Sequence, residues 1–492
     1  MQQTQVDGVP VFWRQGPEPL TATLAFRVGR RDESFVQGGI THLVEHLVMR
    51  ALGKSHLDTN ASVDLGGTFF TATGRPAAVG AFIENVCRTL ADLPVEALAV
   101  ERDILMREGG TVSHPLDCVA LGERYGARDA GLAAFGVPAL AGLGPGELRA
   151  WAARYFVVEN AALGLTGPPP EGLRLPLPTG ERNKRVAVTP RDLPWPGWTE
   201  GPDGVAVAFE ATFSTALMAG LRIALDRATD EIRHGRGHAY ELDFVGRSID
   251  PSTERSHVTF WADAAPRQAA DVANALLEVL GALAADGPTA EELTHDRDGM
   301  LAAHEDPRAV EGAVMSRAAS HLAGREHQTE EQELMEHREL TPAAVAAALA
   351  PVAASALVLL PDGVELDRPG FTYLPASAVP ALDGRRLRRR LGSGAPRGAE
   401  LVLADEGLTL LFGKGPTTAS ITVRWDDVVG VGTDDDVLVV QGGDGGAIPV
   451  RAGDWRGGEA AVAAVREHVV PELFFVEPPD EESGVPGPRR DR

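Results

Sequence analysis

"GGITHLVEHLVMR", residues 38–50, is the stretch on which the reading of the fold turns. Leu43, Leu47 and Val48 recur at helical spacing, with Thr41 placed to cap the first turn. On such a helix His42, Glu45 and His46 fall within about a 100° arc. Two imidazoles at i and i+4 can grip one metal ion, and the carboxylate at i+3 lies beside the remaining coordination position. Hydrolytic zinc needs three protein ligands and an open site for water, whose pKa falls there to about 7. The plain alternative is an accident of composition on an amphipathic helix, for which a chain with 13 histidines offers room.

A third ligand has to come from another element, and "VERDILMRE" (100–108) offers one. Glu101 and Glu108 stand two helical turns apart and share a face. One can bind the metal while the other supports a liganding histidine from behind.

Working outward, "GVPVFWRQ" (8–15) and "LTATLAFRVG" (20–29) alternate as strands. "VDLGGTFFTATG" (63–74) reads as a helix end, a Gly-Gly turn and a strand. Helices are expected over "AAVGAFIENVCRTLADLP", "VEALAVERDILMREGGTV" and "GPGELRAWAARYF". Residues 168–200 are rich in proline and poor in periodicity, as a connector is. Beyond it, strands "GVAVAFEATF" and "SHVTFWADA" and helices "STALMAGLRIALDRATDEIRHGRG", "QAADVANALLEVLGALAADG" and "TAEELTHDRDGMLAAHE" echo the first half in order. That marks a candidate internal duplication. From about 361, short strands with Gly and Asp turns precede one helix, "GGEAAVAAVREHVVPEL". The expected class is α+β: two similar α/β half-domains (1–167 and 201–360) joined by the linker 168–200, then a small β-barrel-like module with a C-terminal helix (361–477). The tail 478–492 is expected to be disordered.

Seventy acidic against 46 basic residues give a net charge of −24, which argues against general affinity for nucleic acid. The two cysteines, Cys87 and Cys118, are read as buried free thiols in a reducing interior. The N-terminus lacks a basic start followed by an apolar stretch, and no 18-residue apolar run is evident. The expectation is a cytoplasmic protein without a membrane span.

The inverted motif, its "GGITHLVEHLVM" context and the later E-x6-E helix resemble the pitrilysin/insulinase family of zinc peptidases. The similarity extends over "FRVGRRDESFVQGGITHLVEH", "VDLGGTFFTATGRPAAVGAFIENVCRTLADLP" and "GLGPGELRAWAARYFVVENAALGLTG", and in all over residues 5–360. The resemblance implies a clamshell-type zinc endopeptidase in which His42, His46 and Glu108 bind zinc, Glu45 is the general base on zinc-bound water, and Glu101 stands behind a ligand. It also implies that Arg233 and Tyr240, in "IRHGRGHAY", face the zinc across a chamber and polarise the scissile carbonyl. Short or unfolded peptides are the implied substrates, and pairing as a homodimer or heterodimer with a related chain is the implied assembly. Two departures bear on specificity: a trimmed loop at "ALGKSHLDTN", and the strand after Gly66-Gly67, which in the family begins with an Asn-containing segment where substrate adds as an extra strand and here reads "TFFTATG", with Phe70 near the Asn position.

The last module resembles a pleckstrin-homology-like fold in its strands and final helix. Before it, "RRLRRR" (Arg385–Arg390) is a basic patch in an acidic chain, read either as an anionic-lipid contact or as a solvated strand paired with nearby acids. His114 and Cys118 have ligand-like spacing but no partners, and "GGDGG" (442–446) is a hairpin turn. Two functions stand side by side: an active zinc metallopeptidase, and a non-catalytic scaffold or partner subunit with the same fold. The intact His42, Glu45, His46, Glu101 and Glu108 set favours the first, because a scaffold needs none of them.

Overall fold

A computed structural model of the chain describes residues 1–109, 112–250, 253–325, 329–413 and 419–476. The tail read as disordered lies outside them. The first unit contains β1 (Gln2–Val6), β2 (Val9–Trp13), β3 (Leu20–Phe26), α1 (Ile40–Leu52), β4 (Asp58–Val63), β5 (Thr68–Gly74), α2 (Pro76–Ala91), α3 (Leu98–Glu108), α4 (Pro115–Tyr125), α5 (Pro145–Tyr155) and β6 (Ala161–Leu165). Its six strands run in the order β1-β2-β6-β3-β5-β4, with β2 and β6 parallel and the other neighbours antiparallel. Where a helix end was expected before the Gly-Gly turn, the chain forms the edge strand β4. Its residues alternate between exposed and half-buried, a period of two too short and too polar to stand out in the sequence.

The second unit repeats this plan. It comprises β7 (Gly197–Gly201), β8 (Val205–Thr212), α6 (Thr215–Ala228), β9 (Leu242–Asp250), β10 (Arg255–Ala262), α7 (Pro266–Asp286), α8 (Ala290–Glu305), α9 (Ala309–Ala323), α10 (Glu330–Glu339), α11 (Pro342–Leu349), the one-turn α12 (Val352–Ser355), β11 (Leu357–Pro361) and β12 (Thr372–Tyr373). The order is β12-β7-β11-β8-β10-β9. Again one inner pair, β7 and β11, is parallel and β11-β8-β10-β9 are antiparallel. Only the far edge differs, since β12 runs parallel to β7. The duplication suggested by element order is therefore a duplication of sheet topology.

Each sheet buries one face under its own helices and the other under a helix of the opposite half. In β3, Leu20, Ala22, Leu24 and Phe26 face the first core. Ala25, with Ala162 of β6 and Phe12 of β2, instead meets Ala318 and Leu322 of α9. Gly164 completes this close approach, because a β-carbon there would stand 3.3 Å from Val314. In β8, Val205, Val207 and Phe209 face the second core, while Ala206 and Ala208 lie under Leu116 and Ala120 of α4. Small residues on the outer faces let each borrowed helix approach.

Polar links fix the exchange. Asp117 of α4, fully buried, accepts from Arg247 Nε and Thr259 Oγ1, both at 2.8 Å. Arg124 donates to the carbonyls of Ser355 (2.6 Å) and Ala208 (3.3 Å). In return Arg27 and Arg182 donate to the Leu322 carbonyl at the C-terminal end of α9, each at 2.7 Å.

α7 is the one described helix long and apolar enough, by length and composition, to cross a bilayer, which corrects the expectation that no such run exists. It packs on the second sheet, with Ala269, Val272, Leu276, Leu280 and Leu283 in the second core.

The last unit contains β13 (Arg385–Arg388), β14 (Glu400–Ala404), β15 (Gly407–Phe412), β16 (Ala419–Arg424), β17 (Val428–Asp434), β18 (Val437–Gly442), β19 (Ala447–Arg451), α13 (Gly458–His468) and β20 (Phe474–Val476). The strands and helix are those expected, but they do not close into a barrel. They form two four-stranded sheets, β13-β14-β15-β16 and β19-β18-β17-β20, around one core with Trp455, Ala461 and Val465.

Candidate metal centre

α1 is fixed at its N-terminus by a side chain from outside the helix. The N-cap is Gly39, at φ 86°, and not Thr41. A β-carbon at Gly39 would also meet Val137 at 2.8 Å. The first free N–H groups are taken by Glu33, which accepts from Gly39 N (2.8 Å) and Thr41 N (3.0 Å). Glu33 is in turn paired with Arg30 at 2.6 Å, both side chains almost wholly buried. Arg30 also donates to the Gly136 carbonyl at 2.7 Å. A carboxylate at a helix N-terminus also complements the helix dipole.

The pocket-facing side of α1 carries the donors. His42 and His46 are half-buried and Glu45 is buried. The two Nε2 atoms are 3.2 Å apart, and Glu108 Oε2, from the end of α3, lies 3.5 Å from His46 Nε2 and 3.9 Å from His42 Nε2. Ligand atoms of His42, His46 and Glu108 all fall within 4.8 Å of one another, the one such group of three among the described residues. Around a tetrahedral zinc with bonds of about 2.0–2.1 Å to nitrogen, ligand atoms stand about 3.3 Å apart. The spacing fits.

The chemistry of the donors fits as well. His46 Nδ1 lies 3.1 Å from Glu101 Oε2, so the proton sits on Nδ1 and the Nε2 lone pair points at His42 and Glu108. Burial, and then His46 beside it, pull the His42 imidazole down to about 4, leaving it neutral at neutral pH, as a ligand must be. No cationic side chain pairs with Glu45 or Glu108 among the described residues. Electron-rich atoms converging without a counter-charge form a group that could hold a cation.

Glu45 Oε2 stands 3.6 Å from His42 Nε2 and 3.9 Å from His46 Nε2, beside the same point. Burial pushes its carboxyl up to about 7; His46 pulls it down, and Glu108 and Glu101 push the same way as burial. Glu101 is also buried, and its second oxygen accepts from Arg50 at 2.6 Å. Arg50 went unremarked in the sequence, although its place four residues after His46 on one helix was a usable signal.

Arg233 and Tyr240 are placed together but apart from this group. α6 continues as a wider π-helical turn, Thr229–Gly235, which carries Arg233; such turns recur at functional sites. The Arg233 guanidinium lies over the Tyr240 ring at 4.7 Å, and Tyr240 is 75% exposed. Neither makes a hydrogen bond or ion pair with the donors of α1 and α3. His114 caps α4, accepting from Leu116 N, stacks on Trp261, and belongs to no three-donor group among the described residues. In "RRLRRR", Arg386 and Arg388 flank Glu400 and Arg390 reaches Glu459.

The second half offers an internal comparison. The buried positions 41, 43, 44, 45, 47 and 48 of α1 match 217, 219, 220, 221, 223 and 224 of α6, and 98 and 101 of α3 match 293 and 296 of α8. Met218, Leu221 and Ala303 then occupy the places of His42, Glu45 and Glu108. Arg222 and Asp296, in the places of His46 and Glu101, close on each other in a two-pronged ion pair of 2.7 and 3.0 Å. The convergence of donors belongs to the first half alone.

No protein-family model matches the sequence, and no curated protein is similar to it by sequence. Solved structures are. A protease from Helicobacter pylori matches with a TM-score of 0.60 at 13% identity, over 73% of this chain and 99% of that one. An inactive domain of a peptidase M16 from Pseudomonas fluorescens matches at 0.58 and 15%, over 75% and 99%. The first half of the periplasmic protease PqqL from Escherichia coli matches at 0.54 and 16%, over 74% and 92%. The chain has the fold of insulinase-type, M16 peptidases.

Proposed function

We propose that the chain is a zinc-dependent endopeptidase acting on short or unfolded peptides, with His42, His46 and Glu108 as the metal ligands. The observation that carries this is the convergence of three donor atoms within 4.8 Å, with Glu45 beside them. A zinc ion held there would supply Lewis acidity, polarising a peptide carbonyl and acidifying water. Glu45 takes the proton of the attacking water on its carboxylate and hands it to the leaving amine, its Oε2 standing 3.6 Å from His42 Nε2 and 3.9 Å from His46 Nε2, beside the metal point. Glu101 keeps the His46 ring oriented. Arg233 and Tyr240 are assigned to the developing oxyanion, brought to it when substrate closes the chamber. The strand after Gly66-Gly67, β5, is paired on both sides by β3 and β4, so the peptide adds instead along β4, the edge of the first sheet. Action in the cytoplasm and pairing with a second chain, identical or related, complete the proposal.

The second reading is a non-catalytic member. It is favoured by the likeness to an inactive domain and by Arg233 and Tyr240 lying against each other, out of contact with the metal centre. The test is mass-spectrometric cleavage of a mixed peptide pool by the zinc-loaded protein and its Glu45→Gln variant. Cleavage by the parent, slowed about a hundredfold or more in the variant with zinc retained, is expected. Zinc bound with no cleavage by either would overturn the enzymatic reading.

A further inference from the structure

We infer that Arg50 is a positioning residue of the metal centre, acting on His46 through Glu101. The inference rests on the reading of His42, His46 and Glu108 as metal ligands. Glu101 uses its two oxygens separately: Oε2 faces His46 Nδ1 at 3.1 Å and Oε1 accepts from Arg50 Nη1 at 2.6 Å. Its side chain is only 7% exposed, so its charge needs a partner that water does not provide. Arg50 supplies that partner from the same helix that carries His46, one turn further on. The three side chains thus form a closed chain: helix α1, Arg50, Glu101, His46 and back to α1. With both carboxylate oxygens occupied, Glu101 cannot rotate. Oε2 then holds the Nδ1 proton and the plane of the imidazole, and Nε2 is aimed at His42 and Glu108.

The second half shows what the same scaffold does without such a chain. There the carboxylate of Asp296 is met directly by Arg222, in the place of His46, and both prongs are spent on that pair. Asp226 stands at the position matching Arg50, where it can lend no positive charge. A cation two links from the metal point, rather than at it, distinguishes the half in which donors converge.

The test is zinc affinity, measured on the full chain after removal of metal, by competition with a chromophoric chelator. Wild type, Arg50→Met, Arg50→Lys and Glu101→Gln would be compared, with the thermal midpoint of each metal-free protein. Loss of a partner behind a liganding histidine weakens metal binding about 10–100-fold, and Arg50→Met is expected to reach at least the lower figure. Arg50→Lys, which keeps the charge and a donor, should recover most of it. Cobalt-loaded Arg50→Met should show an altered visible absorption spectrum, since the ligand field changes with the ring orientation. The metal-free midpoint of Arg50→Met should fall by several degrees, because Glu101, 7% exposed, loses the cation beside it, while that of Arg50→Lys should stay near wild type. Wild-type affinity in Arg50→Met would overturn the role of Arg50 and leave the metal centre standing. Equal losses in Arg50→Met and Arg50→Lys, with both midpoints lowered, would reassign Arg50 to folding and overturn it too. No zinc binding by wild type would remove the metal centre itself, and the inference with it.

Discussion

Removing the Glu33 carboxylate should unfasten the helix that carries the metal donors. In Glu33→Ala the N–H groups of Gly39 and Thr41 lose their acceptor and Arg30 loses its ion partner. The Arg30 and Glu33 side chains are 3% and 1% exposed, so the orphaned guanidinium is left with the Gly136 carbonyl and little water. Breaking one side of such a buried pair costs about 3–5 kcal/mol, and the stranded N–H groups add to it. With the two interlocked halves, roughly 360 residues, unfolding together at about 2.1 cal/mol/K per residue, that corresponds to a fall of about 5 °C in the unfolding midpoint. Glu33→Gln keeps an acceptor but no charge, and should fall between wild type and Glu33→Ala. Removing both charges in Arg30→Met/Glu33→Gln should recover part of the loss, because no buried ion is then unpaired. The assay is thermal unfolding of the metal-free chain followed by circular dichroism, with zinc affinity measured on the same samples. Affinity should fall with the midpoint, since the freed first turn of α1 carries His42. A Glu33→Ala midpoint within 2 °C of wild type, or a double variant no better than Glu33→Ala, would refute the reasoning.

Acidification should destabilise the chain through His257. Burial, then Arg124, hold its imidazole down at about 3 in the folded protein, where it sits fully buried beside Thr259. The unfolded chain takes up a proton there below about 6.5, so the unfolded state binds more protons and stability falls with pH between about 6.5 and 3. Unfolding free energies of wild type and His257→Leu, from denaturant titrations between pH 7.5 and 5, should differ in slope by about 1.4 kcal/mol per pH unit below 6.5, and equal slopes would sink the idea. The last unit should matter to the metal centre through Gly430, whose added β-carbon would stand 2.7 Å from the ring of Phe35, two residues from Glu33. Gly430→Ala should cost about 1–3 kcal/mol by overpacking and weaken zinc binding; an unchanged zinc affinity would mean that this contact holds the unit without reaching the site.

What the sequence made legible was local. The histidines and Glu45 lie within one helix and Glu101 and Glu108 within another, so periodicity alone sets their faces, and the structure brings those faces together. Many strands and helices of the two halves were legible for the same reason, but β4, α4, β9 and the helices from α9 to α11 were not. The partners that hold the site were not legible either: Arg50 meets Glu101 on another helix, and Glu33, though near its partners in sequence, acts from a loop outside the helix it caps. Asp444, in the turn read simply as a hairpin, accepts from Arg191 at 2.9 Å and from Ser377 at 2.9 Å, and nothing in "GGDGG" announces that. Glu33 looks like any loop acid until the helix dipole is seen to end on it. Arg233 and Tyr240 were placed by resemblance only; no spacing argument predicts a guanidinium stacked on an exposed phenol ring.

The exchange of α4 and α9 between the halves sets the order of events at the ribosome. The outer face of the first sheet, with Phe12, Ala25 and Ala162, cannot be covered until residues 309–323 have been made. At about 5–20 residues per second that delay is on the order of ten seconds, during which a finished apolar sheet waits uncovered. The nascent chain is thus a sticky half-clasp for that interval. A fragment cut between the halves would keep that face uncovered, since the helix that covers it lies in the other half.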